Sequence, residues 1–168
     1  MTRPPELIPI SDFGGDWVKY EKALYQMYLH SLVRANLTFL GHPVKTRSRP
    51  KTRGMEFGFR HLITKASRDK RRSEEEREPD FSRCERLPWV SWCIENAEQE
   101  GLSYWENRRG RETHVVVWAE LYNFVVILDK RMPSGLLVYY LLTAYCPEEH
   151  IRRKLRKERA ASFVAQNG

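Results

Sequence analysis

Cysteine is scarce in this chain: Cys84, Cys93 and Cys146 are the three present among 168 residues. An odd, irregularly spaced set builds no disulfide framework and fits reduced thiols in a cytosolic protein. Long hydrophobic runs are missing as well. No apolar stretch approaches the roughly 20 residues of a membrane helix, and Met1-Thr2-Arg3-Pro4-Pro5-Glu6 has no apolar signal region. The expected setting is therefore cytoplasmic, with no membrane partner.

Several chemistries also lack their residues. There is no Cys-x-x-Cys and no His-Glu-x-x-His, and Cys146 with His150 makes at most half of a zinc site. No glycine-rich phosphate loop or dinucleotide fingerprint occurs, so no cofactor is expected. No serine sits in a nucleophile elbow, and the cysteines have no obvious histidine partner. A magnesium site would want clustered carboxylates, and the predicted sheet offers only Glu106, Glu120 and Asp129. Acidic residues are outnumbered throughout, 22 Asp and Glu against 29 Lys and Arg, a formal charge of +7. That balance favours acidic partners.

What is present describes a folded chain. Hydrophobic residues reach 41% and aromatics 12%, and the length suits one domain over residues 1–168 with its own core. Three short runs rich in β-branched and aromatic residues, 113–119, 122–128 and 136–145, read as strands of an antiparallel meander. A period of two puts Tyr139, Leu141, Thr143 and Tyr145 on one face of the last strand. Residues 102–106 read as a further strand, turning at Asn107-Arg108-Arg109-Gly110, so the sheet has at least four strands.

Around this sheet the pattern is helical. Residues 1–15 form an irregular lead-in, and Asp16 caps a helix whose apolar face includes Trp17, Tyr20, Leu24 and Tyr28. Pro88 opens a second helix over 88–100 that stops at Gly101. Glu148 and Glu149 start a third, strongly cationic helix over 150–160, with Ile151 and Leu155 as its apolar stripe, and a loose tail follows from 161. The predicted fold is α+β: N-terminal helices packed on a four-stranded or slightly larger antiparallel sheet, with a basic C-terminal helix.

Two charged stretches stand apart. Lys45, Arg47, Arg49, Lys51 and Arg53 alternate with other residues, so an extended backbone projects all five to one side, as suits a phosphate chain. A solvated surface loop is the alternative for the same residues. The run 66–80 reads as a charged surface loop. Between these stretches, Met55–Lys65 reads as a strand or short buried turn carrying His61.

The residues left for chemistry are His, Thr, Tyr, Arg and Lys. Such a set cleaves RNA by letting the 2′-hydroxyl attack phosphorus: one group takes the proton, another supplies one to the leaving oxygen, and cations hold the developing charge. DNA lacks the nucleophile and would be spared.

Phe59-Arg60-His61-Leu62, Arg83-Cys84-Glu85-Arg86-Leu87-Pro88-Trp89, Val125-Val126-Ile127-Leu128 and Leu141-Leu142-Thr143-Ala144-Tyr145 together resemble the barnase/EndoU/colicin E5–D/RelE-like (BECR) nucleases, most of all their phage-associated branch. The similarity covers about residues 13 to 158. It implies cleavage of RNA at a sheet face, usually without metal, in proteins that are often toxins or phage-conflict effectors. By the resemblance His61 is the general acid or base, and Thr143 and Tyr145 orient phosphate or share proton transfer. Arg86 and Arg111 are candidate phosphate clamps. No second histidine is placed: His114 shares its face with Val116 and Trp118, where it would pack, and His150 on the basic helix is the alternative near phosphate. The expected function is a metal-independent endoribonuclease, with RNA and an acidic antitoxin or immunity protein as partners. The competing reading is an RNA-binding module that keeps the fold without the chemistry, carried by Lys45, Arg47, Arg49, Arg53 and the C-terminal helix.

Overall fold

The computed structural model describes residues 2–66, 73 and 76–166. Its architecture is α+β, and the sheet is larger than four strands. Six strands run in the order β1 (Thr38–Phe39), β2 (His42–Lys45), β8 (Val138–Tyr145), β7 (Phe124–Arg131), β6 (Glu112–Ala119) and β5 (Ser103–Arg109). A separate short pair joins β3 (Thr64–Lys65) to β4 (Glu78–Pro79). Strands β5 to β8 form the predicted antiparallel meander. The pairing of β2 with β8 is parallel, with Val44 opposite Tyr139 and Lys45 opposite Tyr140, so the sheet is not wholly antiparallel.

Helix α1 (Trp17–Tyr28) starts where expected, the Asp16 carboxylate accepting from the Lys19 amide at 3.2 Å, and continues as a π-helical turn over Leu29–Val33. Its stripe of Tyr20, Leu24 and Tyr28 is fully buried. With α4 (Leu87–Glu95) it covers one face of the sheet, where Val115, Val117, Phe124, Val126, Leu128, Tyr139 and Leu141 meet Trp89, Val90 and Ile94. The lead-in is docked to the same core. Trp89 Nε1 donates to the Pro5 carbonyl at 2.8 Å and the Tyr20 hydroxyl to the Ile8 carbonyl at 2.6 Å.

The local structure departs from expectation at three places. Met55–Lys65 is neither a strand nor a turn in its middle: Phe57–Ile63 is helix α2, entered where Gly58 donates to the Arg47 carbonyl at 2.7 Å. Gly58 is needed there, because a Cβ would sit 2.9 Å from the Tyr28 hydroxyl and 3.0 Å from the Arg47 carbonyl. A short helix, α3 (Phe81–Glu85), precedes α4, capped by Asp80. Helix α5 (Glu149–Gln166) runs through most of the stretch expected to be a loose tail. Of the predicted charged loop 66–80, residues 67–72, 74 and 75 lie outside the described residues.

The second face of the sheet is covered differently. Leu155 and Ile151 of α5 rest on Trp105, Val116, Trp118 and Val125, with Ile127 and Tyr145 packed at the margin of that cluster. Among the described residues no helix is long and apolar enough to cross a membrane.

Candidate active site

A β-bulge decides what this second face carries. Strands β7 and β8 pair Leu128 with Leu141 but Ile127 with Thr143, leaving Leu142 as an extra residue. One extra residue reverses the alternation that follows it. Tyr139 and Leu141 therefore point into the main core, while Thr143 and Tyr145 point to the opposite face, with Ala144 between them returning to the core. The four side chains expected on one face are divided two and two.

Thr143 and Tyr145 line a cavity of about 230 Å³ together with Asn107, Arg109, His114, Val116, Ile127 and Leu142. The register explains the assembly. Asn107 lies opposite His114 across β5 and β6, Val116 opposite Ile127 across β6 and β7, and Ile127 opposite Thr143 across β7 and β8. Each of four strands thus contributes to one hollow, beside the patch that α5 covers.

His114 is the histidine of this cavity. Its side chain is 18% exposed, and Nε2 lies 3.2 Å from the Glu112 carboxylate two residues back on the same strand face. It shares a face with Val116 and Trp118 as expected, but it lies over the uncovered part of the sheet. Directly opposite His114 across β6 and β7, buried Asp129 is held by Arg131 Nε at 2.6 Å.

Burial raises the pKa of Tyr145, with Arg109 and Arg83 acting in the opposite direction. The phenol is therefore protonated at neutral pH and available as a hydrogen-bond donor. Arg83 lies over the Tyr145 ring at 5.7 Å, and its Nη1 donates to the carbonyls of Thr64 at 3.0 Å and His61 at 3.2 Å. Burial lowers the pKa of this guanidinium, while Asp80 and Tyr145 oppose the change. A guanidinium keeps its charge at neutral pH.

His61 does not line this cavity. Its ring stacks on Phe57, with centroids 4.1 Å apart, and it approaches Tyr145 through its backbone carbonyl and Arg83. The expected meeting of the His61 imidazole with Thr143 and Tyr145 in one hollow is replaced by one with His114. A helix in place of the expected strand is the reason, since it turns the side chain by helical rather than strand periodicity.

The expected phosphate-binding residues are dispersed. Arg86 Nη1 donates to the Ser82 carbonyl at 3.0 Å, and its guanidinium lies over Trp89 at 5.1 Å, fixed at the junction of α3 and α4. Arg111 is exposed in the two-residue turn between β5 and β6, where Gly110 supplies a φ of +62°. His150 is exposed on the first turn of α5, 3.5 Å from Glu148. Lys45 ends β2, and the basic stretch does not continue as a strand: Thr52 and Met55 bridge around a turn with Arg53 at φ +54°. Lys45, Arg47, Arg49 and Arg53 are all exposed, but they do not form one straight comb. In α5, Arg152 and Arg153 pair with Glu149, and Arg156 and Arg159 with Glu120, so much of its charge is balanced.

A larger hollow of about 460 Å³ opens at the β1–β2 edge, lined mainly by Leu32, Leu37, Pro43 and Val44 with Glu56. It contains no histidine or tyrosine. Among the described residues no group of three His, Cys, Asp or Glu is placed to hold a metal ion. The site and fold together define an α+β protein with a largely apolar cavity, edged by Asn107, Arg109, His114, Thr143 and Tyr145, on the open half of a curled sheet. Comparisons with protein families, curated proteins and solved structures found no match to this chain.

Proposed function

We propose that the protein is an endoribonuclease that cleaves RNA through attack of the 2′-hydroxyl, without a metal ion, at the cavity shared by β5 to β8. The observation that carries this reading is the convergence of His114, Thr143, Tyr145, Asn107 and Arg109 in one hollow. His114 takes the proton-transfer role that the BECR resemblance gave to His61. Glu112 orients its ring through Nε2, leaving Nδ1 for the substrate. Arg109 offers a planar fork to the phosphate oxygens. Tyr145, kept protonated by burial, gives a proton to the leaving 5′-oxygen as the P–O5′ bond breaks, while His114 holds the proton taken from the 2′-hydroxyl, and Thr143 with Asn107 orients the ribose. The substrate brings its own nucleophile, so this short set suffices. A role as a toxin or phage-conflict effector, held in check by an acidic inhibitor, rests on the resemblance.

The test is incubation of purified protein with single-stranded RNA and a matched DNA strand in EDTA. The expected products are RNA ends bearing 2′,3′-cyclic phosphate, with the DNA intact. His114→Ala abolishes the products and His61→Ala retains a substantial part of the activity. If His61→Ala is as inactive as His114→Ala while remaining folded, the proton-transfer role returns to His61. RNA that stays intact but is bound with steep salt dependence favours the binding module instead.

A further inference from the structure

The cavity continues toward the basic stretch along a single register row. Asn107, His114, Asp129 and Tyr140 lie opposite one another across β5 to β8, and the parallel pairing adds Lys45 of β2. Val44 is buried with Tyr139 on the core side, so Lys45 shares the open side with Tyr140. Three steps between adjacent strands, at roughly 4.8 Å each, separate His114 from Lys45 by about 14 Å. That span exceeds a dinucleotide, at a rise of about 3.4 Å per stacked nucleotide.

Just past Lys45 the chain builds a stack. The Arg47 guanidinium carbon lies 4.5 Å from the centre of the Phe57 ring, and the His61 ring lies 4.1 Å from the same centre, tilted by 29°. Groups that close to one ring centre occupy its opposite faces. Phe57 is therefore sandwiched, and Arg47 is the exposed end of the stack. Its backbone is fixed as well, since the Arg47 carbonyl accepts from Gly58 at the start of α2. An arginine plane held from behind by an aromatic ring is a surface on which an unpaired base stacks.

We propose that single-stranded RNA crosses the open sheet face from the cavity toward β2, and that an unpaired base stacks on the outer face of Arg47. The proposal rests on the reading that RNA is the substrate, and it names the form of that RNA. A duplex keeps its bases stacked inward and offers none to Arg47. Phe57 is a positioning residue, acting through Arg47. Lys45 and Arg47 belong to the track, whereas Arg49 and Arg53 lie past the stack, toward the turn bridged by Thr52 and Met55.

The probe is a fluorescent eight-nucleotide strand with every 2′-hydroxyl methylated, which blocks cleavage, compared with the same strand in a duplex; anisotropy is measured from 50 to 200 mM salt. The full chain binds the single strand more tightly than the duplex. Arg47→Ala weakens single-strand binding about tenfold and lowers the slope of log affinity against log salt by about 0.7. Arg47→Lys keeps the charge but not the plane, so affinity falls while the slope holds. Phe57→Leu leaves Arg47 in place and weakens binding less than Arg47→Ala. Equal affinity for strand and duplex, or wild-type affinity in Arg47→Lys, overturns the proposal. Because the probe cannot be cut, natural RNA left intact alongside the expected binding pattern removes only the nuclease reading. No binding of the probe under any condition overturns the single-strand track, whatever the cleavage assay shows.

Discussion

The two faces of the sheet are made from the same strands and have opposite characters. One is sealed: Val115, Val117, Phe124, Val126 and Leu128 are at most 2% exposed beneath α1 and α4. The other is covered by α5 over Trp105, Trp118 and Val125, with Tyr145 at the margin of that patch, and left open over His114 and Thr143. Alternation along each strand makes such a division available, and the covering helices decide which face stays dry. Stability is concentrated on the first face. The groups able to move protons or hold phosphate collect on the second.

The largest effects should separate these faces cleanly. His114→Ala should lower RNA cleavage by roughly a hundred- to ten-thousand-fold while leaving stability within about 1 kcal/mol, read by product gels and urea unfolding. Unchanged cleavage would remove the open face from the reaction. Leu128→Ala is the mirror experiment: truncating a fully buried side chain should cost about 2–5 kcal/mol of unfolding free energy, with activity per folded molecule retained. A cost well under 1 kcal/mol would mean that the sealed face is not tightly packed.

Tyr145→Phe should act more gently. It deletes one hydroxyl and keeps the ring beneath Arg83, so cleavage should fall about tenfold or more with the melting temperature nearly unchanged. A large loss of stability instead would assign the hydroxyl to packing.

The smallest effect concerns the covered part of the second face. Glu120 accepts from Arg156 at 2.8 Å and pairs with Arg159 at 2.9 Å, and both guanidinium groups lie over Trp118. Burial would raise the Glu120 pKa, but the hydrogen bonds and charges of the two arginines outweigh it and hold the carboxyl below its ordinary 4.5. A depressed carboxylate contributes stability above the unfolded value and loses it as pH falls through the folded one. Glu120→Gln should therefore be slightly less stable than the parent at pH 7, with the difference fading below about pH 4 and at high salt. A difference that persists in acid would assign the effect to packing of α5 rather than to charge.

Much of the frame was legible in the residues. The meander from 113 to 145, the Asp16 cap and the buried stripe of α1 follow from periodicities that act within a few residues. Helix α2 was not legible, because Phe57-Gly58-Phe59-Arg60-His61-Leu62-Ile63 has the β-branched and aromatic character of a strand, and its helical form depends on Gly58 packing against Tyr28 and Arg47. The site was half legible. Thr143 and Tyr145 were visible as polar groups closing the last strand, and alternation placed His114 on the face of Val116. Asn107 and Arg109 have the composition of a turn, whereas β5 continues through Arg109 and the turn falls at Gly110 and Arg111. Arg83 carries no role legible in the sequence, since its contacts with His61, Thr64 and Tyr145 join distant parts of the chain.

By itself the sequence determined the α+β class, the order of the meander and the excess of cations, because propensity, alternation and composition are local properties. Which histidine meets Thr143 and Tyr145, and on which side of the sheet, was decided only in three dimensions. One extra residue at Leu142 reverses the strand's faces, and a sheet face gathers side chains by register rather than by their nearness along the chain.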